Sequence, residues 1–228
     1  MAETVLIERR YRGPAESGNG GYTCGIVAAL VGDEAEVTVR VPPPLERALR
    51  IERADGGVRV LDGETLVAEA RRLPLELAAA EPVPHALAVE RAAALADDPN
   101  HPFPSCFVCG PGRAPGDALR LRPAQVGDGR VAAPWTPTPE LAGRPELVWA
   151  ALDCPGAFAI DPHLERGVSV LGRLHARVLG TPEAGEDCVV VGWPLEEDGR
   201  KRFAGTALFG DGARLLGLGR ATWILIAS

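Results

Sequence analysis

Between Tyr22 and Val31 the chain runs YTCGIVAALV, with only Thr23 polar. A helix that is apolar on nearly every side has no face to offer water, so it must be enclosed. The segments that follow can supply the enclosure. Ala35 to Val41 (AEVTVRV), Ala48 to Arg53 (ALRIER), Val58 to Leu61 and Thr65 to Arg71 read as strands from their alternation and β-branching. Asp55-Gly56-Gly57 and Asp62-Gly63 separate them as turns. Pro42-Pro43-Pro44 ends the first of these strands, because proline cannot donate to a sheet ladder. Upstream, Thr4 to Arg12 reads as a short strand and Gly13 to Gly21 as a loop of turn formers.

The same order returns later in the chain. Between 74 and 104 the prolines Pro74, Pro82, Pro84, Pro99, Pro102 and Pro104 bracket an Ala-rich helical stretch, His85 to Ala96, which reads as a connector. Gly129 to Trp135 is then strand-like, Pro137 to Arg144 is a loop, and Pro145 to Leu152 (PELVWAAL) is a helix with proline in its first turn. Four strands follow: Val168 to Val178, Cys188 to Pro194, Arg202 to Phe209 and Arg214 to Ile226. Glu197-Asp198-Gly199 and Gly210-Asp211-Gly212 are turns between them. Each half therefore reads strand, loop, one buried helix, then consecutive strands. Parallel strands would need a crossover between each pair, so this order predicts an α+β fold with antiparallel sheet.

Charge and motifs narrow the function. With 31 Asp and Glu against 24 Lys and Arg, the net charge is -7, which argues against a nucleic-acid partner. The opening MAETVLIERR has no apolar signal core and no run approaches the ~18 apolar residues of a membrane span, so a soluble cytoplasmic protein with no membrane partner is expected. Five cysteines, an odd number, suit reduced thiols. There is no P-loop, no dinucleotide fingerprint with an acidic follower and no Gly-x-Ser-x-Gly elbow.

Asn19-Gly20-Gly21 opens the first helix, and Arg144-Pro145-Glu146 holds the corresponding place in the second half. Counting forward by the same distance reaches Ala28 in one half and Asp153 in the other. By themselves the glycines are a turn entering a helix. Asp153 is an acid at a helix C-terminus, where the helix dipole disfavours it. Together they resemble the acyl-CoA thioesterases of the hotdog superfamily, especially the phenylacetate-pathway type. Those proteins carry His-Gly-Gly at the start of the central helix and a catalytic acid about two turns later. The resemblance implies a double hotdog, with two antiparallel sheets each wrapped around a central helix. It divides the chain into an N-terminal hotdog at 1–80, a connector at 81–104 and a C-terminal hotdog at 105–228. It also implies further assembly into a homo-oligomer, an acyl-CoA or acyl-carrier thioester as substrate, and no cofactor.

In such proteins the glycine N–H and the carboxylate come from opposite sides of a dimer interface. A chain that keeps Gly20 and Gly21 in one half and Asp153 in the other can therefore build one composite site. The resemblance gives Gly20 or Gly21 the role of oxyanion donor and Asp153 that of base or nucleophile. Asn19 stands where the family has histidine. Ser169, in Gly167-Val168-Ser169-Val170, resembles the Ser or Thr that orients water. Asn19, Trp149 and Arg173 are the expected substrate contacts, with Trp149 also burying Asp153. Arg177 and the run Arg200-Lys201-Arg202 are further cations for the phosphates of coenzyme A. Two other functions fit the same fold: a non-catalytic acyl or acyl-CoA binding protein, and a hydratase or dehydratase using His175.

Cys106-Phe107-Val108-Cys109-Gly110 has metal-ligand spacing, but a structural zinc site takes four ligands. His101 could be a third and no fourth is evident, so the expectation is two thiols in a tight turn and no metal. His101 and His163 lie beside prolines and read as surface residues.

Overall fold

In a computed structural model of the chain, the described residues are 3–54, 56–95, 101–162 and 167–226. Asp55 of the first expected turn, Ala96 at the end of the expected connector helix, Pro99 and His163 lie outside them. No helix among the described residues is long and apolar enough to cross a membrane.

The first buried helix, α1, spans Gly20–Ala28, starting two residues earlier than its apolar run. Asn19 sets that start: its Oδ1 accepts from the Tyr22 N–H, an N-cap bond that satisfies one of the helix's orphan donors. The helix stops at Ala28 because the Leu30 and Val31 amides turn back onto Val27 and Ala28, and Gly32 follows at a φ of 132° that glycine tolerates. In the second half, α3 spans Pro145–Ala151, and its last five residues are all buried. A helix that the sequence did not suggest, α4 (Cys154–Ile160), follows directly. Its Pro155-Gly156 pair reads as a turn, yet proline in a first turn loses no helical bond. The connector helix α2 spans His85–Ala93.

Among the described residues, eleven strands surround these helices. They are β1 (Thr4–Leu6), β2 (Glu34–Val39), β3 (Ala48–Ala54), β4 (Gly57–Asp62), β5 (Thr65–Arg72), β6 (Ala124–Gly127), β7 (Arg130–Trp135), β8 (Ser169–Val178), β9 (Cys188–Asp198), β10 (Lys201–Gly210) and β11 (Arg214–Leu225). All pair antiparallel, in the order β1-β3-β4-β5-β2-β8-β11-β10-β9-β7-β6. The two halves use one plan. Strand, helix and four further strands give the order β1-β3-β4-β5-β2 in the first half and β7-β9-β10-β11-β8 in the second. The short β6, absent from the sequence-based expectation, adds a hairpin to β7.

The expectation of two sheets is corrected here: the strands form one continuous sheet. β2 and β8 are the last strands of their halves, and each alone would leave a row of unpaired N–H and C=O groups. They pair with each other instead, from Glu34 opposite Arg177 to Thr38 opposite Arg173. Glu36 on β2 ties the seam, with Arg71 of β5 at 2.8 Å on one side and Arg173 of β8 at 3.3 Å on the other.

Inside this sheet α1 packs against α3, and the approach is set by glycine. A Cβ at Gly21 would lie 2.5 Å from the Asp153 Cβ and 2.8 Å from the Trp149 carbonyl oxygen. One at Gly25 would lie 2.7 Å from the Glu146 Cα. These two glycines are one turn apart and let the helix backbones touch. The main core joins both halves, with Cys24, Val27, Val37, Val67, Leu147, Trp149, Leu174 and Leu208 in one cluster. A second cluster lies where α2 packs on β7 and β9, with Ala88, Val189, Val191 and Phe209.

Candidate active site

Between α3 and α4 the chain breaks its helical path at Asp153, whose φ and ψ are -82° and -90°. The break turns the carboxylate toward the N-terminus of α1. Asp153 Oδ2 accepts the Gly21 N–H at 2.9 Å and the Asn19 Nδ2 at 2.8 Å. The helix N-terminus is the place where a negative charge is most favoured. Asn19 is fixed by both ends of its amide: Oδ1 caps α1 and Nδ2 holds Asp153. Its oxygen and nitrogen cannot be exchanged without losing both bonds.

The other oxygen, Asp153 Oδ1, is buried and has no hydrogen-bond partner. The residue is 2% exposed. Burial pushes its carboxyl up to about 7, against the opposing pull of the Gly21 N–H, with the nearby Cys106 adding to the rise and the Asn19 amide opposing it. An unsatisfied carboxylate oxygen in a buried site requires an explanation, and Asp153 is one of the residues that line a cavity.

That cavity has a volume of about 310 Å³, near the small end of ligand pockets. Its lining includes Asn19, Gly20, Asp153 and Ser169. Its apolar walls include Val39, Val41, Pro42, Phe103, Leu171, Trp223 and Ile224. Gly20 lies under Leu171, whose Cβ would be 2.9 Å from any added Cβ, so only glycine leaves its backbone approachable. The Gly20 N–H donates to no acceptor among the described residues, whereas the Gly21 N–H is committed to Asp153.

Asn19, Gly20, Gly21, Asp153 and Ser169 are thus brought together from the two halves of the chain. Trp149 packs beneath Gly21 through its backbone and is buried outside the cavity wall. Arg173 also stands outside it, donating to Thr38 Oγ1 at 3.0 Å and to Glu36. Arg177 faces Glu34 at 3.8 Å. Lys201 and Arg202 lie at the β9–β10 turn, where Arg202 meets Glu197 at 3.2 Å. His175 Nε2 is 3.0 Å from the Leu73 carbonyl oxygen, and the ring does not line the cavity. That placement gives no support to hydratase chemistry at His175.

The place in the second half that corresponds to the Asn19 corner is held by Arg144. Arg144 donates to Glu146 at 2.8 Å and to the Tyr11 hydroxyl at 3.0 Å. Tyr11 in turn stacks on Tyr22 at 3.9 Å between ring centroids.

Sequence reasoning missed one resident of the site. Cys154 follows Asp153 and lines the cavity with Cys106, and their sulfurs are 3.8 Å apart. Thiol hydrogen bonds from Cys109 and Cys154, with backbone N–H groups, hold Cys106 below the usual thiol range despite its burial. His101 is not in this group; its Nδ1 accepts the Phe103 N–H at 3.1 Å.

No family profile and no curated protein matches the sequence. Solved structures do match over nearly the whole chain. A candidate thioesterase from Novosphingobium aromaticivorans is 15% identical, with 98% of this chain and 95% of that one covered and a TM-score of 0.64. A hot dog fold protein of unknown function from Alicyclobacillus acidocaldarius is 13% identical, with 99% and 93% covered and a TM-score of 0.61. A tesB protein from Mycobacterium avium subspecies paratuberculosis is 13% identical, with 94% and 89% covered and a TM-score of 0.60. At these identities it is the fold that is shared, and the chain has the hotdog fold.

Proposed function

We propose that the chain is a double hotdog thioester hydrolase, with hotdog units at residues 1–80 and 105–228 joined by 81–104. Its one composite site lies where α1 of the first unit meets Asp153 of the second. The observation that carries this reading is the buried carboxylate of a cavity-lining residue, held on one oxygen by Gly21 and Asn19 and unpartnered on the other. A thioesterase name is also carried by one of the structural relatives.

The substrate's acyl group occupies the apolar part of the cavity, with its thioester carbonyl at the N-terminus of α1. Because Gly21 already serves Asp153, the oxyanion donor is the Gly20 N–H, aided by the positive end of the helix. A water held by Asp153 Oδ1, and oriented by Ser169, attacks the carbonyl carbon. The carboxylate takes the water's proton, and the carbonyl electrons move onto the oxygen facing Gly20. The tetrahedral intermediate collapses with cleavage of the carbon–sulfur bond. The leaving thiolate recovers the proton from Asp153, giving a carboxylic acid and a free thiol. Asn19 is a positioning residue: it holds α1 and the carboxylate in register. At the matching corner of the second half Arg144 is engaged by Glu146 and the Tyr11 hydroxyl, with no carboxylate–amide pair like that of Asp153 and Asn19, which favours one site per chain.

The test is a panel of short, long and aromatic acyl-CoAs, with released thiol followed continuously. Turnover of at least one class is expected. No turnover across the panel, together with a ligand-induced rise in melting temperature, would replace hydrolysis with plain acyl binding.

A further inference from the structure

Cys106, Cys109 and Cys154 are buried, and their sulfurs all lie within 4.8 Å of one another. The turn carrying the first two is shaped around the Cys106 sulfur. The Val108 N–H donates to it at 3.4 Å and the Asn19 Nδ2 approaches it at 3.8 Å. The Gly110 N–H closes the turn on the Cys106 carbonyl at 2.9 Å. A Cβ at Gly110 would fall 2.5 Å from the Cys106 backbone nitrogen and oxygen, so the turn requires glycine there. Donors converging on one sulfur stabilise a thiolate, which is the form that ligates metals.

We propose that Cys106, Cys109 and Cys154 bind one soft divalent ion of the zinc class, with water from the cavity as the fourth ligand. At a zinc–sulfur distance of about 2.3 Å, the sulfurs of a tetrahedral site stand about 3.8 Å apart. Cys106 and Cys154 already stand at 3.8 Å, and the Cys109 sulfur lies within 4.8 Å of both. Thiolates select zinc-class ions over magnesium or calcium, which take oxygen ligands. Cys106 and Cys154 both line the cavity, so the fourth position opens onto it. Three protein ligands with one open position describe an exchangeable site rather than a closed structural one. The Asn19 amide contacts both the Cys106 sulfur and Asp153, and so separates the anionic metal–thiolate group from the carboxylate. The remaining cysteines, Cys24 and Cys188, are buried outside this group. The site goes beyond the hydrolase reading and does not depend on it.

The experiment uses the full chain, reduced and without substrate. Metal content is measured by plasma mass spectrometry, and cobalt(II) is titrated into chelator-stripped protein. The expected result is about one ion per chain, with a thiolate-to-cobalt charge-transfer band and the visible bands of a tetrahedral site. Changes outside the ligand shell already cost 10–100-fold in affinity, so Cys109→Ser should weaken cobalt binding more than about 100-fold. Cys188→Ser should bind as the natural chain does. Cobalt uptake without the charge-transfer band, no uptake by the reduced natural chain, or unchanged binding by Cys109→Ser would overturn the proposal. These readouts need no turnover. An empty thiol cluster in an active hydrolase would remove the metal site alone, and metal uptake in an inactive chain would remove the hydrolase reading alone.

Discussion

Asp153→Asn is expected to slow thioester hydrolysis by about 10²–10⁴-fold, the contribution typical of a positioned general base. The substitution keeps the shape of the side chain. An amide oxygen at the Oδ2 position can still accept the Gly21 N–H and the Asn19 amide, which stand 2.9 and 2.8 Å away. The amide nitrogen then takes the place of the buried, unpartnered Oδ1. That atom can donate to a cavity water but cannot accept its proton. Substrate binding should persist, because the apolar wall and the Gly20 N–H are untouched, so the loss should fall on kcat rather than KM. Stability should be unchanged or slightly raised, since a buried carboxylate that resists ionisation is replaced by a neutral group. Steady-state kinetics and thermal melting on the same preparation check both parts. Full activity in the variant would remove Asp153 from the mechanism.

Gly25→Ala is expected to destabilise the fold by about 2 kcal/mol, although alanine is the better helix former by about 1 kcal/mol. The added methyl group would meet the Glu146 Cα at 2.7 Å, the Glu146 carbonyl oxygen at 2.8 Å and the Trp149 Cβ at 2.9 Å. None of these is the end of a flexible side chain. α3 cannot retreat, because Leu147, Val148, Trp149, Ala150 and Ala151 are all buried behind it. The helices must separate, and the separation weakens contacts along both. The midpoint of urea unfolding should fall while the slope stays constant. A neutral or stabilising result would mean that α1 and α3 do not approach as closely as described.

The sequence made the enclosed helices and most strand positions legible because each is a local pattern. YTCGIVAALV cannot face water, and strands such as AEVTVRV carry their alternation within a few residues. What escaped was non-local or ambiguous. The pairing of β2 with β8 turns two expected sheets into one, and it depends on two edges meeting more than a hundred residues apart in sequence. α4 hides behind Pro155-Gly156, and β6 is only four residues long.

At the site, the halves of the motif could be matched by counting from helix start to acid. The assignment of the Gly21 N–H to Asp153, which leaves Gly20 free, needed the actual hydrogen bonds. The pairing of Arg173 with Glu36 was not legible, because Glu36 sits on a strand of the other half. Cys154 escaped notice for the same reason: it joins a cysteine pair that lies far upstream.

The most direct measurement is a crystal structure of the chain with an acyl-CoA analogue in which a methylene group replaces the thioester sulfur. The carbonyl oxygen should lie about 2.7–3.1 Å from the Gly20 nitrogen. A water on Asp153 Oδ1 should stand about 3–3.5 Å from the carbonyl carbon. One analogue should bind per chain, with its acyl group against Leu171 and Trp223. An analogue whose carbonyl lies away from the α1 N-terminus, or a second copy at the Arg144 corner, would contradict a single composite site.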